Sequence, residues 1–220
     1  MQQDPHRKEL FDTWSQDYDR SVADQTEFPF IGYHAVLDTI VKKAQVEPQH
    51  TLLDVGVGTG NLSSRFPIPG SQICGIDFSQ RMLEKAQNNL PDATLFRVDL
   101  LSPDWPVEMD GPYDRIVSAY TLHEFPDDLK ITLLTRLAQD YLTKGGQIWV
   151  GDISFPDQNH YDKGRQRFSE LWDDDEFYWC ARPAVASLEA VGFQVEYWQV
   201  SICAGVYQLL WPGHNLRFTL

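Results

Sequence analysis

The sequence predicts an α/β fold in which helices cover both faces of a mostly parallel sheet. Short apolar runs alternate with longer amphipathic segments through the middle of the chain, which is typical of parallel strands joined by helices. The last two strand-like runs are separated by only a few residues, and so short a connection requires antiparallel neighbours. We therefore expect a doubly wound, Rossmann-like sheet of seven strands that ends in an antiparallel C-terminal hairpin.

Each strand is predicted from a short run of residues suited to a buried sheet. The first five runs lie, in chain order, at 51–55, 71–77, 93–98, 113–119 and 146–153. The hairpin is predicted from FQVEYWQV and GVYQLLW, at 193–200 and 205–211. The carboxyl ends of parallel strands meet at one edge of a sheet, and ligands of wound sheets bind at that edge.

Helices are predicted between these strands. One begins after Gly60, and two more span 79–89 and 127–142, with apolar residues at helical spacing. Ser79 is suited to cap the second helix, because its hydroxyl can accept a hydrogen bond from a backbone N–H of the first turn. A last helix is expected near Pro183, since proline is favoured in a first helical turn.

The chain is predicted to form one domain, 1–220, with two additions to the wound sheet. A length of 220 residues suits one full-sized α/β domain. Residues 1–45 precede the first strand and are interpreted as an N-terminal helical cap of two helices. The segment 155–181 is rich in acids and aromatic residues, and it is expected to form a lid over a substrate pocket.

Composition excludes several classes of partner. A net charge of −14 and a pI near 4.7 disfavour nucleic acid and anionic membrane surfaces, which attract basic proteins. No window approaches the apolar length of a membrane span, and the first residues lack the apolar core of a signal peptide. The three cysteines are scattered, without the pairs typical of zinc sites. We expect a soluble cytoplasmic protein, either a monomer or a homodimer.

A glycine-rich turn follows the first strand, in the stretch LLDVGVGTGNL. Glycine stands at every second position, Gly56, Gly58 and Gly60, directly after a strand that carries Asp54. Such a turn lets a ligand approach the backbone closely at the carboxyl end of a sheet. Asn61 stands where a dinucleotide fingerprint has its third glycine, so the match to that motif is incomplete. A glycine turn that serves backbone geometry alone is the alternative.

Two acids follow at the ends of the next strands. Asp77 is placed to accept hydrogen bonds from both hydroxyls of a ribose, although it also suits a cap for the helix near Ser79. Asp99 is placed to accept from the amino group of an adenine, and its alternative is an ordinary loop aspartate. The glycine turn and the two acids occur at successive strand ends, and together they predict a nucleoside ligand.

At this point the sequence resembles the class I S-adenosylmethionine-dependent methyltransferases over nearly its whole length. The motifs that carry the resemblance are LLDVGVGTGNL, GIDFSQRMLEKAQ, FRVDLL, YDRIVSAYTLHEF and KGGQIWVGD. The stretch LFDTWSQDYDRSV is further similar to the small bacterial YrrT-like methyltransferases. The resemblance implies S-adenosyl-L-methionine as cofactor and transfer of its methyl group to a small-molecule acceptor by in-line displacement.

The resemblance also implies which residues bind the cofactor. Asp54 and the loop glycines would hold the methionine part, Asp77 the ribose hydroxyls and Asp99 the adenine amino group. The full set implied for cofactor binding is Tyr18, Asp54, Gly56, Gly58, Gly60, Asp77, Phe78, Asp99, Leu100 and Ser118. Trp14 and Tyr18 lie four residues apart on one helical face, and core packing is the alternative for both.

Two residues after the fourth strand are predicted to be catalytic, Tyr120 and His123. Aromatic faces favour a nearby sulfonium, which makes Tyr120 a candidate for contact with the reacting group. His123 is suited to take a proton from a hydroxyl or ammonium acceptor near neutral pH. A histidine that packs against the cofactor without moving protons is the alternative.

The predicted lid holds a run of acids, Asp173 to Glu176, among its aromatic residues. These acids would suit a cationic acceptor, but a solvated turn is the favoured interpretation of such a charge run. The carboxylates have no recognisable metal-ligand spacing, so no metal is expected. Two alternative functions stay open at this level, a non-catalytic S-adenosylmethionine-binding protein and a nucleotide-dependent oxidoreductase.

Overall fold

The structure is a computed structural model that describes residues 27–109 and 111–215. One sheet runs through the described residues. Its strands are β1 Leu52–Val55, β2 Ile73–Asp77, β3 Thr94–Arg97, β4 Tyr113–Ala119, β5 Leu142–Phe155, β6 Trp179–Cys180, β7 Gln194–Gln199 and β8 Ala204–Leu210. The helices are α1 Tyr33–Ala44, α2 Gln80–Asn89, α3 Asp127–Arg136, α4 Gln158–Arg167 and α5 Ala181–Ala190.

The sheet has the predicted wound topology. Its strand order is β3-β2-β1-β4-β5-β8-β7, and the five strands β1 to β5 run parallel to one another. Strand β8 is antiparallel to both β5 and β7, which confirms the C-terminal hairpin. The sheet has eight strands where the sequence predicted seven, because the two-residue β6 pairs with the end of β5 beside the main path.

The central strands are buried on both faces. Every residue of β1 and β2 is buried, as expected for parallel strands between two helix layers. On one face, Val36 and Ile40 of α1 lie against Gly151 of β5 so closely that a β-carbon there would overlap them. On the other face, Leu134 of α3 and Leu188 of α5 belong to a second buried cluster. The helices therefore cover the sheet on both sides.

One predicted helix is wrong. The chain after Gly60 forms two short 3-10 turns, Ser63–Arg65 and Gly70–Gln72, before it enters β2. Pro67 and Pro69 explain why no longer helix forms, because proline lacks a backbone N–H and holds the preceding residue away from helical geometry.

The predicted helices at 79–89, 127–142 and near Pro183 are confirmed, whereas α4 was not predicted as a helix. The Ser79 hydroxyl accepts a hydrogen bond from the backbone N–H of Met82 and so caps α2 as expected. Helix α3 continues into one π-helical turn, Leu137–Tyr141, and β5 begins directly after it. Helix α5 begins at Ala181, with Pro183 in its first turn.

The two predicted additions differ in how much of them the structure describes. In the N-terminal part, α1 is the second predicted helix, whereas Trp14 and Tyr18 lie outside the described residues. In the segment 155–181, α4 and β6 are linked by a turn whose aromatic rings stack on Phe28, with Phe168 at 4.7 Å and Trp172 at 5.7 Å between ring centroids. The segment thus packs against the chain that precedes α1.

None of the described helices has the length and apolar character needed to cross a membrane.

Candidate active site

A cavity opens at the carboxyl ends of β1, β2 and β4 and contains about 790 Å³ of empty space, counting its mouth. Seven predicted site residues line it: Gly56, Gly58, Asp77, Phe78, Leu100, Tyr120 and His123. Residues outside the predicted site set complete the wall, among them Glu176 of the acid run in the predicted lid: Pro29, Phe30, Met82, Ala119, Thr121, Glu124, Phe125, Ile153 and Glu176.

A smaller recess of about 280 Å³ adjoins this cavity at the glycine turn. It shares Gly56, Gly58 and Ala119 with the main cavity, and Asp54 lies in its wall. The glycine turn therefore borders two spaces, one toward Asp77 and one toward Asp54.

The glycines of the turn serve different purposes. Gly56 has φ of +74°, and a β-carbon there would overlap the Thr121 side chain, so this glycine is needed for packing. Gly58 has φ of +53° and nothing within 4 Å of the place that a β-carbon would take. Of these two positions, Gly58 is therefore the one that leaves open space for a ligand.

Asp77 ends β2 with its carboxylate at the main cavity. Its Oδ2 accepts a hydrogen bond from the Gly58 N–H at 2.9 Å, and its Oδ1 accepts from the Ser79 N–H at 2.8 Å. Burial raises the pKa of Asp77 to about 6, although these hydrogen bonds lower it. Both sequence interpretations thus have support, since the carboxylate steadies the start of α2 and also lines the cavity.

Asp54 is almost fully buried in β1. The hydroxyl of Ser63 donates a 2.6 Å hydrogen bond to its Oδ2. Burial raises the pKa of Asp54 to about 7, against the lowering effect of Ser63, and the nearby Asp77 raises it further. A cationic group bound in the recess would favour the ionised form of Asp54.

Three of the residues predicted to bind cofactor line neither space. Gly60 packs against Leu90, which directly follows α2. The carboxylate of Asp99 accepts from the Leu101 N–H at 3.0 Å, and Ser118 donates to the Val55 carbonyl at 2.8 Å. Tyr18, the remaining residue of the predicted set, lies outside the described residues.

Tyr120 lies immediately after β4 in an unusual conformation. Its φ is +52°, a backbone region that residues other than glycine rarely adopt. Its ring is buried between Phe30 and Tyr33, with centroids 5.8 and 5.0 Å away. Within the part of the chain that the structure describes, its hydroxyl has no hydrogen-bond partner. Burial raises the pKa of this phenol well above its usual value.

His123 forms a buried pair with Asp152 of β5. Its Nδ1 lies 2.7 Å from Asp152 Oδ1, and its backbone N–H donates to Oδ2 at 2.9 Å. The indole N–H of Trp179 donates to the same Oδ2 at 3.1 Å. Both oxygens of Asp152 are therefore engaged, and the imidazole is held in one orientation.

Charges around His123 favour its protonated form. Burial lowers the pKa of His123, but Asp152, Glu176 and Glu124 outweigh it and raise the pKa to about 9. For Asp152 the two effects have the opposite signs. Burial raises the pKa of this carboxyl, but the neighbouring imidazolium outweighs burial and lowers it. At neutral pH the two residues form an imidazolium–carboxylate pair.

The second ring nitrogen of His123 faces two further acids. Its Nε2 lies 3.7 Å from Glu124 Oε1 and 3.8 Å from Glu176 Oε1. Sequence reasoning did not connect these groups, since Glu176 lies far along the chain in the predicted lid. Asp152 did carry a signal, because an acid inside the apolar run IWVGDI needs a buried partner.

Comparison with known proteins identifies the family. A protein-family model described as "Methyltransferase domain" matches residues 52–146. Uncharacterized methyltransferases of Bacillus mycoides and Bacillus cytotoxicus are each 34% identical to this chain over 199 residues, which is 86% of this chain and 90% of each relative. The chain belongs to the methyltransferase family. This confirms the resemblance that the motifs carry and overturns the oxidoreductase alternative.

Solved methyltransferase structures share the fold. A complex of DhpI with SAM and HEP has a TM-score of 0.68 at 17% identity, covering 92% of this chain and 94% of DhpI. Magnesium protoporphyrin IX methyltransferase (ChlM) from Synechocystis PCC 6803, with bound SAH, has a TM-score of 0.68 at 16% identity. That likeness covers 93% of this chain and 97% of the ChlM chain. At such identities the likeness concerns the fold alone.

The cofactor of class I methyltransferases, S-adenosylmethionine, fits the residues of this site. The open space at Gly58 and the carboxylate of Asp77 both lie at the main cavity. The carboxylate offers hydrogen-bond acceptors that the ribose hydroxyls of the cofactor would need. Phe78, Met82 and Leu100 give the same cavity an apolar wall suited to a flat base. The methyltransferase thus has both polar and apolar groups for a nucleoside at the edge where its sheet topology predicts a ligand.

Proposed function

We propose that this methyltransferase transfers a methyl group from S-adenosylmethionine to a small-molecule acceptor at the His123 end of the main cavity. The observation that carries the proposal is the continuity of one cavity from Asp77 to His123. A small acceptor is proposed because the nucleoside part of the cofactor must share the same cavity.

The cofactor residues are proposed on the same basis. Asp77 accepts hydrogen bonds from the ribose hydroxyls, while Phe78 and Leu100 flank the base. Asp54 and the loop at Gly58 hold the methionine part from the adjoining recess. The involvement of Tyr18 stays a prediction from the sequence. Gly60, Ser118 and Asp99 are proposed to act indirectly, by packing against or hydrogen bonding to residues near the site.

When bound, S-adenosylmethionine supplies an electrophilic methyl group on a sulfonium. The chain contributes by orienting the acceptor and excluding water. Correct placement of the reactants can lower the activation barrier of such a reaction by up to about 7–11 kcal/mol. Phe30 and Tyr120 provide apolar and aromatic walls for this purpose. The Tyr120 hydroxyl is available to a ligand, since no described side chain or backbone group hydrogen bonds to it.

His123 is proposed to contact the acceptor through Nε2. Because Asp152 and the two glutamates favour the imidazolium at neutral pH, the ring is better prepared to donate a hydrogen bond than to take a proton. A general-base role, as the sequence suggested, requires that the ring first lose the proton on Nε2.

The remaining expectations are proposals about the whole protein. We infer a single domain in which the described part of the N-terminal cap, 27–45, and the lid, 155–181, contribute to the wall of the acceptor end, since Pro29, Phe30 and Glu176 line it. A cytoplasmic protein acting as a monomer or homodimer is proposed. The net charge of −14 supports an acceptor other than nucleic acid.

The proposal is tested by release of S-adenosylhomocysteine from S-adenosylmethionine with panels of small hydroxyl, amine and thiol acceptors. We expect turnover with members of one chemical class, and loss of turnover in Asp77→Ala. Glu108→Ala, which removes an exposed acid, is the matched control. Turnover with a macromolecular acceptor alone would contradict the proposal. Cofactor binding without turnover on any acceptor would favour the non-catalytic alternative.

A further inference from the structure

Three metal-ligating side chains converge at the acceptor end of the cavity. His123, Glu124 and Glu176 each offer one ligand atom, and these atoms all lie within 4.8 Å of one another. All three residues line the main cavity. Their side chains are only 10%, 7% and 19% exposed, unlike the solvated acids that crowd many protein surfaces.

His123 is oriented as a metal ligand would be. Its Nδ1 is held by Asp152, which leaves Nε2 as the nitrogen that faces the two glutamates. Metal-binding histidines commonly have such a carboxylate on the other ring nitrogen, where it fixes the ring orientation and raises ligand basicity. Asp152 is itself fixed by the Trp179 indole.

The two glutamates are also held in place. Glu124 directly follows His123 in the 3-10 turn Leu122–Glu124. Glu176 is positioned through its neighbour Phe177, whose N–H donates to the His123 carbonyl at 2.7 Å. The fully buried Lys130 of α3 donates to the Phe177 carbonyl at 2.5 Å. The segment that carries Glu176 is thus held beside His123 by hydrogen bonds to the Phe177 backbone, which do not involve the Glu176 carboxylate.

A separate observation also indicates a ligand in this cavity. The Tyr120 hydroxyl is buried and has no hydrogen-bond partner within 27–109 and 111–215. A buried hydroxyl without a partner is costly, so a bound group that supplies one is favoured. Water or an acceptor oxygen on an ion in the same cavity would meet this need.

We propose that His123, Glu124 and Glu176 bind one divalent transition-metal ion. One imidazole nitrogen and two carboxylate oxygens suit ions such as Mn²⁺, Fe²⁺ or Zn²⁺. Ligand atoms about 2.0–2.2 Å from an ion lie roughly 3–3.6 Å apart, so the three atoms, which lie within 4.8 Å of one another, must move closer together when an ion binds. The remaining coordination positions face the cavity, where an acceptor oxygen can bind.

This inference differs from the sequence expectation of no metal. A bound ion would take the place of the proton on His123 Nε2, so the direct contact of Nε2 with the acceptor proposed above applies to the protein without the ion. The inference does not depend on the identity of the acceptor, because ion binding by the protein alone is what it claims.

The test uses the full chain, stripped with a chelator and titrated with MnCl₂ while the free ion is followed by electron paramagnetic resonance. A parallel calorimetric titration uses ZnCl₂. We expect one ion per chain. Glu124→Gln and Glu176→Gln should each weaken binding by more than the roughly 10–100-fold that loss of an outer partner causes. Asp152→Asn, which removes only such a partner, should fall within that range.

Asp175→Asn is the matched control, because Asp175 is an exposed acid next to Glu176. It should leave ion binding unchanged, and circular dichroism should establish that every variant is folded. Absence of saturable binding for both ions would overturn the inference, as would equal binding by wild type, Glu124→Gln and Glu176→Gln. Binding of S-adenosylmethionine without binding of either ion would refute the metal site and leave the proposed function standing.

Discussion

At the scale of single residues, the acids of this site differ in how their charges are balanced. Asp152 is paired with His123 and stays ionised, whereas burial raises the pKa values of Asp77 and Asp54 to about 6 and 7. The first acid orients a side chain. The other two face spaces where hydroxyls and a cationic group of the cofactor would stabilise their ionised forms.

Asp77→Ala is expected to weaken binding of S-adenosylmethionine about tenfold to a hundredfold. Removing a carboxylate that accepts hydrogen bonds from ligand hydroxyls costs about 1.5–3 kcal/mol. Isothermal titration of the variant beside Glu108→Ala checks this, since Glu108 is exposed and should not matter. An unchanged dissociation constant in Asp77→Ala would remove the ribose assignment.

Asp77 should also make stability depend on pH. Its folded pKa of about 6 lies above the ordinary value of 3.8, so the folded state holds the proton more tightly than the unfolded state. The stabilisation is present below pH 4 and is lost as pH rises through 6. Between pH 5 and pH 7, wild type should therefore lose free energy of unfolding relative to Asp77→Asn. Urea denaturation at both pH values measures this, and parallel behaviour of the two proteins would contradict it.

At the scale of elements, local signals predicted well what local chemistry decides. The Ser79 cap, the C-terminal hairpin and the glycine turn depend on a few adjacent residues, and each was recognisable from the sequence. The prediction of a helix after Gly60 was wrong because Pro67 and Pro69 end helical geometry in a stretch whose other residues are compatible with a helix. Strand β6 was missed because two residues that pair with the end of β5 have no periodic pattern to detect.

The glycine turn gives a prediction in two matched variants. Gly58→Ala places a methyl group in open space at φ of +53°, so it should cost about 1–2 kcal/mol of stability and weaken cofactor binding. Gly56→Ala adds overlap with Thr121 to similar backbone strain and should destabilise the fold more. Denaturation and calorimetry on both variants separate the effects. Greater loss of stability in Gly58→Ala than in Gly56→Ala would contradict this account of the turn.

Lys130 links α3 to the segment 155–181. Its Nζ donates to the Phe177 carbonyl and lies 2.9 Å from Asp127 Oδ1. Lys130→Met should cost about 1–3 kcal/mol of unfolding free energy, since it leaves a carbonyl without its donor. Urea denaturation beside Lys144→Met, at an exposed lysine, provides the comparison. If Lys130→Met were as stable as the control, the link would not contribute to stability.

At the scale of the whole molecule, one sheet edge gathers groups that are distant in sequence. The sequence predicted the nucleoside end, because its glycine turn and Asp77 follow strands whose order the α/β pattern implies. It did not predict the group of His123, Asp152, Glu124 and Glu176, since that group depends on where the segment 155–181 folds back. Asp99 follows β3 as the sequence predicted, but its carboxylate lines neither cavity. A correct position in the fold therefore did not establish which way the side chain points.

The central claim is that the main cavity binds an S-adenosyl cofactor. The most direct test is isothermal titration of the purified protein with S-adenosylmethionine, S-adenosylhomocysteine and NAD in parallel. The account predicts one site per chain for the two sulfur nucleosides and no heat from NAD. Binding of NAD alone, or no binding of any of the three by folded protein freed of carried-over ligand, would contradict it.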